Sequence, residues 1–311
     1  MISTSFYAMG SRVNITLEDE TPASQDAFRT ARECFQVWER CFSRFLPDSE
    51  LNQINSHAGQ VLTISAPMAA VLRAALKAAQ QTNGLVTPTI LNALEATGYD
   101  RSFEKISTDS LLAARKAGAR EEITAAQASW RQIELDVRAH TFRLPPGMRL
   151  DLGGIAKGWA ADQIMRKLEQ FSPLVVDAGG DIAVSERRVG AQPWQIGIAD
   201  PRDAGQHLLV LSIRRGGVAT SGRNYRQWQQ GAKPRHHLID PRSGQPAETD
   251  VLAASVVAPS ALQAEISAKA ILILGSRAGV AWLEARPQLA GLLALEDGQV
   301  LVSRWLSAYS R

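Results

Sequence analysis

A lysine set among glycines is the first feature of this chain with evident chemistry: Gly153-Gly154-Ile155-Ala156-Lys157-Gly158. The pattern puts these residues at the start of a helix. Free backbone N–H groups and the helix dipole can hold a phosphate there, and Lys157 adds a full positive charge. No Ser or Thr follows the lysine, so the run is not a P-loop, and its spacing is not GxGxxG. Asp151, just upstream, could cap the helix or accept from a ligand hydroxyl. The plain alternative is a glycine-assisted strand-to-helix turn with Asp151 as cap. Asp177-Ala178-Gly179-Gly180-Asp181 lies between two apolar segments and reads as a tight β-connection. In His236-His237-Leu238-Ile239-Asp240-Pro241-Arg242-Ser243-Gly244 a histidine pair precedes a Pro/Gly turn. Histidine titrates near neutral pH and can act as a base or hydrogen-bond a phosphate. Neighbours on a strand point to opposite faces, so the pair is not one metal site; a purely structural pair is the alternative. Thr220-Ser221-Gly222 offers two hydroxyls, but without a partner base or a GxSxG elbow neither is a nucleophile. Glu265 and Lys269 stand i, i+4 in the favourable order, which by spacing alone is also a surface ion pair.

These residues need a scaffold, and the chain is long enough to supply one. Its 311 residues, 45% hydrophobic and 21% charged, exclude a disordered chain or a disulfide scaffold and suit about two lobes. The net charge of +3, without a long Lys/Arg run, does not argue for nucleic acid and suits a cleft for an anionic small molecule. Cys34 and Cys41 lie about two turns, or ~10 Å, apart on one expected helix, too far for a disulfide; both are expected reduced and in the core. The opening Met1-Ile2-Ser3-Thr4-Ser5 carries no export pattern, and no apolar run reaches membrane-spanning length, so a cytoplasmic protein without membrane insertion is expected. Periodicity predicts a strand over 5–17 with Gly10 as a bulge, and helices over 22–45, 66–82 and 108–118. A loop and short helix follow at 83–103, and a hairpin at 131–136 and 140–144. A helix is expected from 155 to about 171, then strands at 173–177, 181–186, 194–199, 207–213 and 216–220. Residues 221–236 read as a polar loop. A strand at 252–258, one helix over 260–285 and strands at 290–295 and 299–304 complete the chain. Irregular strand spacing, with helices bunched early and late, predicts an α+β fold of two interlocked lobes.

The order of the motifs is more specific than any one of them. Met9-Gly10-Ser11, then Phe42-Ser43-Arg44-Phe45-Leu46-Pro47-Asp48-Ser49-Glu50-Leu51-Asn52-Gln53-Ile54-Asn55, resembles the opening of the ApbE-type flavin transferases. Gly84 to Thr89, Asp151 to Asp162, Gly179-Gly180-Asp181-Ile182, Ala219 to Gly222 and His237 to Gly244 follow in that family's order. The resemblance covers about residues 5–285. It implies one domain over 1–311, an α+β fold of two α/β lobes with a ligand cleft between them, and FAD in that cleft. It also implies Mg²⁺-dependent cleavage of the FAD pyrophosphate, with FMN transferred to a Thr or Ser hydroxyl of an acceptor flavoprotein and AMP released. An FAD pyrophosphatase, or an FAD-binding carrier or sensor without transfer, is the alternative.

Carried over by position, the resemblance implies His237 as the catalytic residue. It implies Met9, Phe45, Leu85, Val86, Thr87, Asp151, Lys157 and Leu238 as cofactor contacts, and the Gly154 carbonyl and Glu265 as metal ligands. The sequence departs from the pattern at the metal. Glu265 and Lys269 stand where the family has Asp and, four residues later, Thr. Glu can still bind Mg²⁺ through oxygen, but an ammonium has no acceptor and repels a cation. In one reading Lys269 pairs with Glu265 and takes the place of the metal; in the other the helix is shifted and other oxygens, such as that of Ser267, serve. Phe45 stands for a frequent Tyr, Thr87 for a usual Asp, and Arg223 for a common acid. Many relatives are exported or lipid-anchored, unlike the expectation here.

Overall fold

The computed structural model describes residues 1–106, 130–230 and 233–309; the helix expected at 108–118 lies outside them. Along the chain run β1 (Ile2–Ala8), β2 (Ser11–Leu17), α1 (Ser24–Phe42), α2 (Glu50–Ser56), β3 (Val61–Thr63), α3 (Ala66–Gln81) and α4 (Leu91–Ala96). They are followed by β4 (Glu134–Asp136), β5 (Thr141–Arg143), α5 (Ala156–Leu168), β6 (Leu174–Ala178), β7 (Asp181–Val184), β8 (Trp194–Asp200), β9 (Asp203–Ile213) and β10 (Gly216–Gly222). The last are β11 (Gln227–Gln230), β12 (Lys233–His236), β13 (Ile239–Asp240), β14 (Gln245–Pro246), β15 (Val251–Ala258), α6 (Ala261–Leu274), α7 (Ser276–Glu284), β16 (Ala290–Leu295) and β17 (Val300–Val302). The chain forms two compact units interleaved in sequence. Unit 1 is Met1–Glu39, Ile155–Gly222 and Thr249–Arg311; unit 2 is Arg40–Gly154 and Arg223–Glu248.

Unit 1 is built on an eight-stranded sheet in the order β1-β2-β6-β7-β10-β15-β16-β17, antiparallel at every pairing. α5 packs on β6 and β7, and α6 on β7, β10 and β15. Successive residues of a strand face opposite sides, and β10 shows what each side receives. A Cβ on Gly217 would sit 2.1 Å from the Ala261 backbone N at the start of α6, so only glycine lets that helix lie so close. The next residue, Val218, joins Val184, Val257 and Leu292 in a core with Trp194, Ile196, Leu211 and Ile213 of the β8–β9 hairpin. Helices thus cover one face of the sheet and a β-hairpin the other. No helix among the described residues is long and apolar enough to cross a membrane.

Unit 2 holds the helices α2, α3 and α4, the three-stranded β3-β5-β4 sheet, and the β11–β12 and β13–β14 hairpins. The expected 131–136/140–144 hairpin is there as β4–β5, joined by β3.

Several expectations need correction. Gly10 is no bulge. Met9 and Gly10, at φ 53° and 66°, form the two-residue turn of the β1–β2 hairpin, and positive φ at both positions suits the right-handed twist of the strands. Met9 is held in this unusual conformation for a side-chained residue by its N–H, which donates to Glu39 Oε1 at 2.9 Å. Residues 221–236 contain the β11–β12 hairpin rather than a loop; its strands lack apolar alternation, and only Trp228 marks a buried side. The single helix expected over 260–285 is two, because Gly275 adopts φ 82° between α6 and α7. The last strand ends at Val302, and Arg304–Ala308 is a 3-10 turn. Cys34 and Cys41 are free thiols, half-buried on α1 rather than in the core.

Candidate active site

In unit 1 the glycine run delivers Lys157 to the first turn of α5. Its ammonium pairs with Asp181 and lies 3.4 Å from Glu265 Oε1. Glu265, on α6, reaches the amino end of α5, where its Oε2 accepts from Gly158 N–H at 3.0 Å. A Cβ on residue 158 would sit 2.9 Å from both Glu265 Oε2 and Leu262 Cα, so glycine is required for this approach. The helices cap each other: Asp162 of α5 accepts from Ala261 N–H at 2.9 Å and Leu262 N–H at 3.1 Å at the start of α6. A carboxylate at a helix amino end is favoured by the dipole and by the free N–H groups. The first-turn amide of Gly158, expected to be available to a phosphate, is therefore already engaged by Glu265.

Lys269, one turn after Glu265, has its Nζ 3.8 Å from Glu265 Oε1. The side chains of Asp181 and Glu265 are each 4% exposed, those of Lys157 and Lys269 18% and 16%. Burial and the Glu265 charge push the Asp181 carboxyl up to about 7, against the pull of Lys157 and Lys269. Two hairpin turns adjoin this cluster. Because β2 pairs with β6, the Met9-Gly10 turn lies beside Gly179-Gly180; a Cβ on Gly179 would sit 2.6 Å from Ser11 Cβ and 4.0 Å from the Lys157 Cδ. Asp177 fastens the second turn, accepting from Gly180 N–H at 2.7 Å. The Thr220 hydroxyl is spent on a 2.7 Å bond to Ser255 across β10 and β15.

Unit 2 holds the other expected site residues. Asp151 does not cap the helix: α5 begins at Ala156, and Ile155 before it makes no side-chain cap bond. Its Oδ2 instead binds Arg44 Nε at 2.9 Å, its Oδ1 accepts from Gly153 N–H, and its own N–H donates to the Pro88 carbonyl. The Arg44 guanidinium lies 4.3 Å from the Phe45 ring centroid and 4.5 Å from that of Tyr99, and donates to the Tyr99 carbonyl at 2.7 Å. Tyr99 packs on Trp228 at 5.3 Å, and Arg226 donates to its hydroxyl at 3.3 Å. Phe45 is 40% exposed, beside an Arg44 side chain that is only 5% exposed. Of the 85–89 loop, Leu85 is half-buried while Val86 and Thr87 are buried, and the Thr87 hydroxyl bonds that of Thr89 at 2.9 Å. Gly154, half-buried, is the last residue of this unit before Ile155.

The histidine pair divides its work. His236 bonds the Ala247 carbonyl through Nε2 at 3.2 Å and accepts from Leu238 N–H through Nδ1 at 3.3 Å. Burial, with Arg223 and Arg235 near by, lowers its pKa to about 4, so it is neutral at physiological pH. It ties down the bend that carries the half-buried His237, while Leu238 is buried.

Sequence alone gave no role to Asp181, Arg44 or Asp162, which it named only within motifs, and did not point to Tyr99 or Trp228. Asp181 had a signal, an acid directly after a Gly-Gly turn, and Arg44 another, a cation between Ser43 and Phe45. The roles of the remaining three stand out only once the chain is folded.

Residues 9–293 match the ApbE family. The chain belongs to that family. The FAD:protein FMN transferase of Treponema pallidum is 31% identical to it, over 95% of this chain and 84% of the relative. That of Haemophilus influenzae is 27% identical, over 100% and 91%. The ApbE protein of Thermotoga maritima superposes with TM-score 0.82 at 24% identity, covering 100% of this chain and 99% of that one. The flavin transferase ApbE of Vibrio cholerae superposes with TM-score 0.76 at 22% identity, covering 99% and 98%. These superpositions establish an ApbE-like α+β fold.

The resemblance also implied Mg²⁺, and the donor set of this ApbE chain does not fit it. Of the positions where the resemblance places the metal, Lys269 offers no acceptor, and Glu265 has its oxygens on the Gly158 amide and beside two ammoniums. Where two carboxylates do meet, at Asp181 and Glu265, their bonds go to lysine ammoniums and a backbone amide.

Proposed function

We propose that this chain is an FAD:protein FMN transferase. It cleaves the FAD pyrophosphate and attaches FMN to a Thr or Ser hydroxyl of an acceptor flavoprotein. The observation that carries this reading is the 31% identity to a protein of that name along 95% of the chain. In the reaction the acceptor oxygen attacks the FMN phosphorus. The bond from that phosphorus to the bridging oxygen breaks, and AMP leaves with the oxygen. His237 takes the proton of the attacking hydroxyl, a role in which a positioned base contributes ~10²–10⁴-fold. Its supports are the neutral tie of His236 beneath it and its place in the His237 to Gly244 run. Lys157 offsets pyrophosphate charge, and fixed cations act most strongly where charge develops in the transition state. Met9, Phe45, Leu85, Val86, Thr87 and Leu238 line FAD, and Asp151, held by Arg44, accepts from it. No step is drawn from Mg²⁺.

The test is to incubate the purified chain with FAD and an acceptor flavoprotein, following acceptor mass and AMP. One FMN added per acceptor, with AMP released, and both lost in His237→Ala while FAD affinity stays within about tenfold, is the expected result. AMP without labelled acceptor indicates a pyrophosphatase, and bound FAD with neither product a carrier or sensor; either overturns the transferase reading.

A further inference from the structure

We propose that this chain meets a pyrophosphate with two fixed ammonium groups, Lys157 and Lys269, and needs no divalent cation to bind it. The inference rests on the FAD reading above. The side chains of Asp181 and Glu265 are 4% exposed, those of Lys157 and Lys269 18% and 16%. The lysines are therefore the more accessible members of the cluster. The carboxylates are already engaged. Glu265 Oε2 accepts from Gly158 N–H at 3.0 Å, its Oε1 lies 3.4 Å from Lys157 and 3.8 Å from Lys269, and Asp181 pairs with Lys157. A magnesium ion wants several oxygens at about 2.0–2.1 Å in octahedral array. Here it would have to displace both ammoniums from buried oxygens while leaving them beside a double positive charge. Lys269 stands one helical turn from Glu265 on the same α6 face, so its ammonium starts beside that carboxylate and offers a cation no acceptor. Two ammoniums face at most two carboxylate charges, so the cluster carries no excess negative charge to draw a cation in. The same arrangement suits an anion: the buried carboxylates hold the ammoniums in place, and the two lysines are the more exposed members of the cluster.

The experiment uses the full chain in three measurements: manganese binding by electron paramagnetic resonance, FAD affinity in EDTA and in Mg²⁺, and transfer in both. Expected are no saturable manganese site, an FAD affinity that Mg²⁺ changes by less than about twofold, and transfer that persists in EDTA. Lys269→Met should weaken FAD binding about tenfold in EDTA, a loss of ~1.4 kcal/mol, and Lys269→Arg should restore most of it. A circular dichroism spectrum unchanged in Lys269→Met separates this from misfolding. A saturable manganese site in the wild type that Glu265→Gln abolishes, or transfer that stops in EDTA and returns with Mg²⁺, overturns the proposal and leaves the transferase reading intact. FAD binding that depends on Lys269 and ignores Mg²⁺, without transfer, overturns the transferase reading and leaves this one. Absence of FAD binding overturns both.

Discussion

In unit 1, buried charges answer one another across two helices: Glu265 of α6 meets Lys157 and the Gly158 amide of α5, and Asp162 of α5 meets the first amides of α6. In unit 2, the Arg44 guanidinium lies against the faces of Phe45 and Tyr99 and reaches the acid Asp151 sideways. The first arrangement depends on regular elements and the glycines that let them approach. The second joins residues of loops and short segments, and stacking does much of its work; such cation–ring contacts contribute about 0.5–2 kcal/mol, more where desolvated. Ion pairs among helices tolerate little loss, because a deleted partner strands both a charge and a backbone donor. A stacked guanidinium keeps some of its contacts when one is removed.

Glu265→Ala should break this contrast most widely. It leaves the buried Gly158 N–H without its acceptor and takes one carboxylate from two ammoniums. Removing one member of a buried pair costs about 3–5 kcal/mol. Denaturant unfolding followed by circular dichroism should show a loss in that range; a loss below about 1 kcal/mol would mean that water replaces the carboxylate.

The pH response should differ in sign between the units. Asp181 is raised from 3.8 to about 7, so the folded chain binds more protons than the unfolded chain between those values. Its contribution is complete below pH 3.8 and is lost as pH rises towards 7. His236 is lowered from 6.5 to about 4, so here the unfolded chain binds the extra proton. Its contribution is complete above pH 6.5 and is lost as pH falls towards 4. Each window is worth on the order of a few kcal/mol. Stability measured from pH 4 to 8 should lose its decline towards high pH in Asp181→Asn and its decline towards low pH in His236→Gln. The same slope change in both variants would refute opposite signs.

The legibility of these features in the sequence follows the range of the contacts that make them. Lys157 at a helix start and the Glu265–Lys269 pair depend on neighbours within a few residues, and both are present in the fold, although the pair is largely buried rather than the surface ion pair that spacing alone suggested. Asp181 looked like the end of a turn because its partner, Lys157, is 24 residues earlier on another element. Arg44 and Tyr99 lie 55 residues apart, and Tyr99 meets Arg226 across 127. No local pattern records such meetings. Local signals also misled in places: Gln227–Gln230 looked like a loop because one buried tryptophan cannot announce a strand, and the apolar run before Gly275 looked unbroken because the break is a backbone angle. Asp151 has the type and place of a helix cap, but Arg44 takes its carboxylate.

Arg44→Ala probes the stacked side of the comparison. It removes the cation from two ring faces and leaves Asp151 Oδ2 without its ionic partner, although Oδ1 keeps the Gly153 amide. The expected loss is about 1–3 kcal/mol, the cost of leaving a buried polar group unpaired. Arg44→Lys should restore less than half of it, since an ammonium lacks the planar fork that stacks and bonds at once. Full restoration by lysine would show that charge alone, and not the stack, holds this part of unit 2.

The finest comparison sets two helix caps against each other. Ser260 begins α6 and accepts from Gln263 N–H at 3.2 Å, while Asp162 takes the two preceding amides. Ser65 begins α3 and accepts from Met68 N–H at 3.2 Å, and it also donates through its hydroxyl and its own N–H to Glu50, each at 2.6 Å. Loss of an N-cap serine costs about 0.5–2 kcal/mol. Ser260→Ala should fall at the low end, because α6 keeps its aspartate cap. Ser65→Ala should fall at the high end, because it removes the cap and leaves one Glu50 oxygen without its donor. Paired denaturation curves should therefore separate the two variants by about 1 kcal/mol. Equal losses would mean that Asp162 does not share the capping of α6 and that the mutual capping of α5 and α6 is weaker than its geometry.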